Sequence, residues 1–310
     1  MRNFNKLSDL TKRNFFPVLI SLISFTSIGC QSEDLSLDDN MEDTLYNEPD
    51  PENDTTTKSS INDSRWVGFN TGNTSINSET SAENIFDNKI SGWDTGVAKI
   101  ESNKLKITLP ERAGTSNGME CRLDVTDNPK YQLYFDVKFQ DNFDFSRGGK
   151  LGFGFAIGDG VTGGRWEEAV NENKGGSFRV MWRGDSAEPY LFPYVYYKDM
   201  QGFNGNDFKH KKFNITDNRT YRVRLTIKTN TSASKANGYA KMEVKQSGES
   251  NYTKVWETSS IRWSGNSSAS KRNIKTFYFS TFRGGKTNEW DGNNGSQSIY
   301  FDNLKWYQID

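Results

Sequence analysis

Residues 176–197 read GSFRVMWRGDSAEPYLFPYVYY. Successive side chains of a strand point to opposite faces, so residues two apart share a face. Phe178, Val180 and Trp182 form one such face; Ser177, Arg179, Met181 and Arg183 form the other. Residues 184–189 (GDSAEP) have the composition of a turn, and Tyr194-Val195-Tyr196 resumes the alternation after it. The stretch reads as a β-hairpin with an apolar face packed on a core. Its polar, cationic face either meets solvent or lines a cleft.

The same alternation recurs along the chain. In residues 131–139 (YQLYFDVKF), Leu133, Phe135, Val137 and Phe139 alternate with Tyr134, Asp136 and Lys138. Residues 221–228 (YRVRLTIK) behave likewise, as do 104–109, 241–245, 276–282 and 298–306. Clean alternation implies antiparallel sheets with one packed and one wet face. Gly, Asn, Asp and Ser clusters at 70–78, 158–164 and 291–296 separate the strands. No amphipathic helix longer than two or three turns is evident. The expected fold is all-β: a two-sheet antiparallel β-sandwich of jelly-roll type, with a concave substrate-binding face. The chain should open on an outer strand near Trp66, with the last strand, residues 299–307, pairing beside it.

The fold does not occupy the whole chain. Arg2, Lys6, Lys12 and Arg13 precede an apolar run of 14 residues, 15–28 (FFPVLISLISFTSI). A membrane span needs roughly 20 residues, so residues 1–30 read as a secretory signal. The run ends in Ser27-Ile28-Gly29-Cys30, which resembles a bacterial lipobox and makes Cys30 the expected lipidation site. Residues 31–62 are rich in Asp, Glu, Asn, Ser and Thr and form an acidic tether. These segments imply secretion across the inner membrane and an outer-membrane or cell-surface lipoprotein anchored through Cys30. The folded domain is assigned to residues 63–310.

The net charge of −1 hides an asymmetry: residues 1–30 carry +3, residues 31–57 carry −10, and residues 58–310 carry +6. A basic domain suits an anionic partner. With Cys30 lipidated, Cys121 has no intrachain disulfide partner. The chain has one histidine, His210, within the basic run 209–212. A multi-histidine zinc site is thereby excluded, and so is a Ser-His-Asp triad unless His210 belongs to it. Any base must otherwise be another residue type.

Three pieces supply candidates: Ser177 with Arg179, Tyr194 with Tyr196 on the neighbouring strand, and Lys150 after Gly148-Gly149. One reaction that fits Lys, Arg, Ser and Tyr without histidine is β-elimination on a polyuronate. A base removes the proton at C5, beside a carboxylate whose charge must be neutralised as enolate character develops. Arg179 offers a planar fork for a carboxylate and Lys150 a point charge. Cationic neighbours are expected to lower a tyrosine pKa, so that Tyr194 or Tyr196 serves as base and as acid toward the leaving oxygen. Ser177 is expected to donate a hydrogen bond. The bland reading is aromatic packing for the tyrosines and a solvated face for Ser177 and Arg179.

The ordered set of segments resembles polysaccharide lyase family 14, the jelly-roll alginate lyases and their relatives. It comprises Arg122-Leu123-Asp124, Tyr134-Phe135-Asp136-Val137-Lys138-Phe139, Phe143-Asp144-Phe145, Gly148-Gly149-Lys150-Leu151, Ser177-Phe178-Arg179-Val180-Met181-Trp182-Arg183, Tyr194-Val195-Tyr196 and Phe279-Ser280-Thr281-Phe282-Arg283-Gly284-Gly285. The resemblance implies a cleft lined by Lys150, Ser177, Arg179, Tyr194 and Tyr196, with Tyr190 and Tyr197 as alternatives in register. Its implied partner is an anionic polysaccharide, alginate or a glucuronate-containing polymer, bound by a monomer with no nucleic-acid role. Arg122, Arg183 and Arg283 are candidates for further carboxylate contacts, and each also reads as a structural residue. The family motif continues Leu-Pro-Gly, whereas Leu151 is followed here by Gly152 and Phe153. No cofactor is required by this chemistry; Asp207 and Asp291 mark loops where a structural calcium would sit. The alternative is a non-catalytic glycan-binding lipoprotein of the same fold.

Overall fold

The computed structural model describes residues 65–310 except 115, 116, 187 and 286. The signal, Cys30 and the tether lie outside the described residues. The domain is built from two antiparallel sheets.

One sheet has nine strands. Its order runs β14 (Thr253–Ile261), β13 (Gly238–Gln246), β12 (Thr220–Lys228), β7 (Lys130–Phe139), β16 (Gln297–Gln308), β5 (Lys104–Leu109), β4 (Ala98–Glu101) and β2 (Thr74–Ser75). β1 (Arg65–Val67) pairs with the last part of β16, Trp66 opposite Lys305, so the chain's opening and closing strands do meet. The other sheet has seven strands: β11 (Phe213–Asn214), β10 (Tyr190–Tyr196), β9 (Gly175–Arg183), β8 (Gly148–Gly158), β15 (Ile274–Arg283), β6 (Met119–Asn128) and β3 (Ile90–Ser91). Two short helices, α1 (Glu79–Phe86) and α2 (Trp166–Val170), are the α-helices among the described residues.

Alternation explains the layering. Tyr131, Leu133, Phe135, Val137 and Phe139 of β7 and Val223, Leu225 and Ile227 of β12 are buried between the sheets. From the seven-stranded sheet come Phe153, Phe155, Phe178, Val180, Trp182, Phe277 and Phe279. Phe153 stacks on Phe279 at 4.4 Å between centroids, and Phe135 and Phe301 of the opposite sheet meet Phe153 and Phe279 at 5.7 and 5.2 Å. Such offset and edge-on pairs stabilise a core beyond their buried area.

β8 is buried along its whole length: the core covers its inner face, and side chains of the neighbouring strands, Arg179, Met181 and Tyr194, lie against its outer one. Its register against β9 shifts between Leu151 and Phe155. Gly152 sits in that bulge at φ +65°, where an added Cβ would lie 2.6 Å from the Phe135 ring. The departure from Leu-Pro-Gly therefore has a local reason: this backbone needs a left-handed residue without a side chain.

Candidate active site

The hairpin β9–β10 and its neighbour β8 place the candidate residues on a grid across the outer face of the seven-stranded sheet. Lys150 is directly opposite Met181, and Met181 opposite Phe192. One row along, Arg179 is opposite Tyr194; in the next, Ser177 is opposite Tyr196. On the other side of β8, Tyr278 of β15 pairs with both Gly154 and Arg122. An added Cβ at Gly154 would meet the Phe178 carbonyl at 2.4 Å and Arg179 Cγ at 3.1 Å. That glycine is what lets the Arg179 side chain lie across β8.

Lys150 is 9% exposed. Its Nζ is 3.0 Å from Met181 Sδ and 3.9 Å from the centre of the Tyr194 ring. A thioether and a ring face are weak partners for an ammonium, and no carboxylate pairs with Lys150 among the described residues. Burial, followed by the positive charges of Arg179 and Arg183, holds its pKa well below the ordinary lysine value. Arg179, 4% exposed, has its guanidinium 5.7 Å from the Tyr194 ring and 5.6 Å from the Tyr278 ring. Its Nε is buried without a hydrogen-bond partner. A buried orphan donor is uncommon and often marks a functional position.

The two tyrosines meet edge to face at 5.8 Å. Tyr194 Oη accepts from the Gly205 N–H at 3.0 Å, and Tyr196 Oη from the Gly164 N–H at 2.9 Å. These amides come from two loops, residues 159–165 and 199–206. The loops are bridged where Trp166 meets Phe203 edge to face at 5.3 Å. Cationic neighbours do not lower the Tyr194 pKa as expected. Burial first, then the adjacent Tyr196, push it up, outweighing Arg179 and the Gly205 amide. Burial likewise raises Tyr278 against Arg122 and Arg179.

Two expectations are corrected. Ser177 is fully buried, and its hydroxyl donates to the Val161 carbonyl at 2.7 Å, so it fastens the 159–165 loop rather than facing a ligand. Arg283 is 1% exposed, with Nη1 on the Asp144 carbonyl at 2.5 Å and Nη2 on Gln297 Oε1 at 2.8 Å. It braces loops away from the cleft. Arg122 borders the site while donating to the Asp159 carbonyl at 3.0 Å and Tyr278 Oη at 2.8 Å. Arg183, half-buried, lies over Phe192 at 5.2 Å and Trp290 at 5.5 Å. The calcium loops show no supporting cluster: no group of three His, Cys, Asp or Glu is poised for a metal among the described residues. The Asp291 carboxylate accepts from the Ala113 N–H at 2.6 Å.

A profile of the family described as Polysaccharide lyase 14 matches residues 99–304, the span that holds this whole grid. The chain belongs to the polysaccharide lyase 14 family. It is accordingly a polysaccharide lyase. Among solved structures it is similar to alginate lyase Aly36B at 34% identity. That match covers 81% of this chain and 98% of the other, with TM-score 0.70, and the structure is of a Lys→Ala/Tyr→Ala variant in complex with an alginate tetrasaccharide. The alginate lyase from Aplysia kurodai (20% identity, 76% and 98% covered, TM-score 0.57) shares the fold. So does alginate lyase vAL-1 from Chlorella virus (21% identity, 76% and 98% covered, TM-score 0.56). No curated protein sequence matches the chain.

Sequence reading of this lyase missed Tyr278 and Phe203, and gave Met181 a face but no task. Tyr278 is legible only once β15 is placed beside β8. Phe203 lies in a loop without periodicity; its one signal is a bulky aromatic among Gly, Asn and Gln.

Proposed function

We propose that this lyase cleaves an alginate-like polyuronate by β-elimination, with Lys150 as the base and Arg179 neutralising the uronate carboxylate. The observation that carries the reading is the buried Lys150 amine, without a carboxylate partner among the described residues and beside the orphan Nε of Arg179. An amine whose pKa is depressed has its lone pair free for a proton at lower pH than an ordinary lysine. The uronate carboxylate supplies the acceptor that Arg179 Nε lacks, and its charge is compensated as the C5 carbanion forms. Lys150 takes the C5 proton, the electron pair forms the C4–C5 double bond, and the C4–O4 bond breaks. Tyr194, kept protonated by its raised pKa, is the donor of a hydrogen bond or proton to the departing O4. This moves the base from the tyrosine pair to the lysine. The bound alginate in the Aly36B complex supports the substrate class. We also propose, from the sequence of residues 1–62, that the enzyme is a surface lipoprotein tethered through Cys30.

The test is incubation with polymannuronate, polyguluronate and glucuronan while ultraviolet absorbance of the unsaturated product is followed. Absorbance should rise with at least one polymer. Binding without absorbance on all three contradicts the reading.

A further inference from the structure

We infer that the groove alongside β14 is a second polyuronate-binding track, taking up chain that runs off the catalytic face round the edge of the sandwich. The inference rests on the polyuronate reading above. The groove has a volume of about 690 Å³ and is lined by Lys209, His210, Lys211, Lys254, Tyr239 and Trp256, among others. Its wall forms where residues 209–212 lie against β14, the Lys211 N–H donating to the Val255 carbonyl at 2.8 Å.

Its charge is one-sided. Among the described residues Glu257 is the one carboxylate in the lining, and it accepts from Lys254 at 2.7 Å and from Tyr239 Oη at 2.6 Å, within the wall itself. Lys209 and Lys211 are exposed and have no ion-pair partner among the described residues. Two uncompensated ammonium groups in a groove that also exposes part of the Tyr239 ring suit a chain of sugar acids, whose rings present both carboxylates and C–H faces.

The groove is also continuous with the catalytic face. Tyr190, Phe192, Tyr194 and Tyr196 share the outer side of β10. The His210 ring stacks on Phe192 at 5.5 Å and on Tyr190 at 6.0 Å. Its Nδ1 lies 2.8 and 2.9 Å from the Asp207 and Phe208 carbonyls, which requires a proton there and fixes the ring. Lys212 Nζ stands 4.5 Å from the Tyr190 ring. From Tyr194 to Tyr190 is about 13 Å of strand, so a polymer crossing the site reaches His210 and then the lysines.

The experiment uses Lys209→Ser/Lys211→Ser/Lys254→Ser in the full chain and in a Lys150→Met background. In native gels containing polymannuronate, Lys150→Met should be retarded, and adding the three groove substitutions should remove most of that retardation; a neutral β-glucan gel should retard neither. In the active protein the triple variant should raise KM for polymannuronate about fivefold while KM for an alginate tetrasaccharide, too short to span both places, stays within about twofold. Unchanged retardation, or equal KM changes for polymer and tetrasaccharide, overturns the groove. Because retardation is read on an inactive background, it fails or holds independently of whether any polymer is cleaved.

Discussion

Lys150 is a buried amine whose Nζ lies 3.0 Å from the Met181 sulfur. That environment suits a base and works against stability. In the folded protein its pKa lies below the ordinary 10.5. Between the two values the unfolded chain binds more protons, so stability rises with pH across that window and is lost as pH falls through the depressed value. Lys150→Met fills the same space without a charge to desolvate. It should lower kcat by at least about 10³-fold while raising the melting temperature at neutral pH by about 2–4 °C for each kcal/mol regained. It should also flatten the rise of stability with pH. Retained turnover on polymannuronate would remove Lys150 from the base role. The pH profile follows from the same shifts. kcat/KM should climb through the depressed lysine pKa and stay level until Tyr194, whose pKa is raised, begins to ionise. Tyr194→Phe keeps the ring beneath Lys150 but deletes the hydroxyl. It should reduce kcat about 10²-fold with KM little changed; a fall in affinity with kcat intact would make Tyr194 a binding residue only.

At the level of elements, the hairpin was the most legible part of the sequence. Alternation alone sets Arg179 and Ser177 on the face of β9 that carries Met181, and pairing with β10 brings Tyr194 and Tyr196 opposite them. Lys150 is legible through a short glycine-flanked motif rather than periodicity, since β8 is buried on both faces and does not alternate. What alternation cannot show is what lies above a face. A side chain pointing away from the core reads as exposed, yet Ser177 is fully covered because the 159–165 loop descends onto it. The sign of the tyrosine shift is hidden from the sequence for the same reason: the cations are in it, but the desolvating roof is not. That roof consists of two loops whose Gly164 and Gly205 amides hold the tyrosine hydroxyls and which are joined where Trp166, the first residue of α2, meets Phe203. Phe203 is 68% exposed, so its removal should change stability by less than about 0.5 kcal/mol. Phe203→Ala should nonetheless lower kcat on polymannuronate about three- to tenfold, because the hydroxyls lose their restraint. Thermal unfolding and kcat measured on one preparation separate the two effects. Unchanged kcat with an unchanged melting temperature would show that the loop contact has no part in positioning.

For the molecule as a whole, the division of charge is the property with the longest reach. Residues 58–310 carry +6, and the outer face of the seven-stranded sheet gathers Arg122, Lys150, Arg179 and Arg183. Fields from such a face extend over roughly a Debye length, about 10 Å at 0.1 M salt, and guide a polyanion before contact. Ion pairs already buried in the bound complex are screened far less. The two steps should therefore separate with ionic strength. Raising sodium chloride from about 20 mM to about 500 mM should reduce kcat/KM for polymannuronate about tenfold while kcat at saturation changes less than about twofold. The sign follows from the opposite charges of sheet face and polymer, and the size from the loss of steering alone. A parallel fall in kcat would mean that salt reaches the Arg179–carboxylate contact itself, and the site would then have to be more open to water than the exposure of Arg179 (4%) allows. Indifference of kcat/KM to salt would mean that the polymer is held by uncharged contacts, such as the half-buried Tyr194 ring, with charge acting only at the reacting sugar.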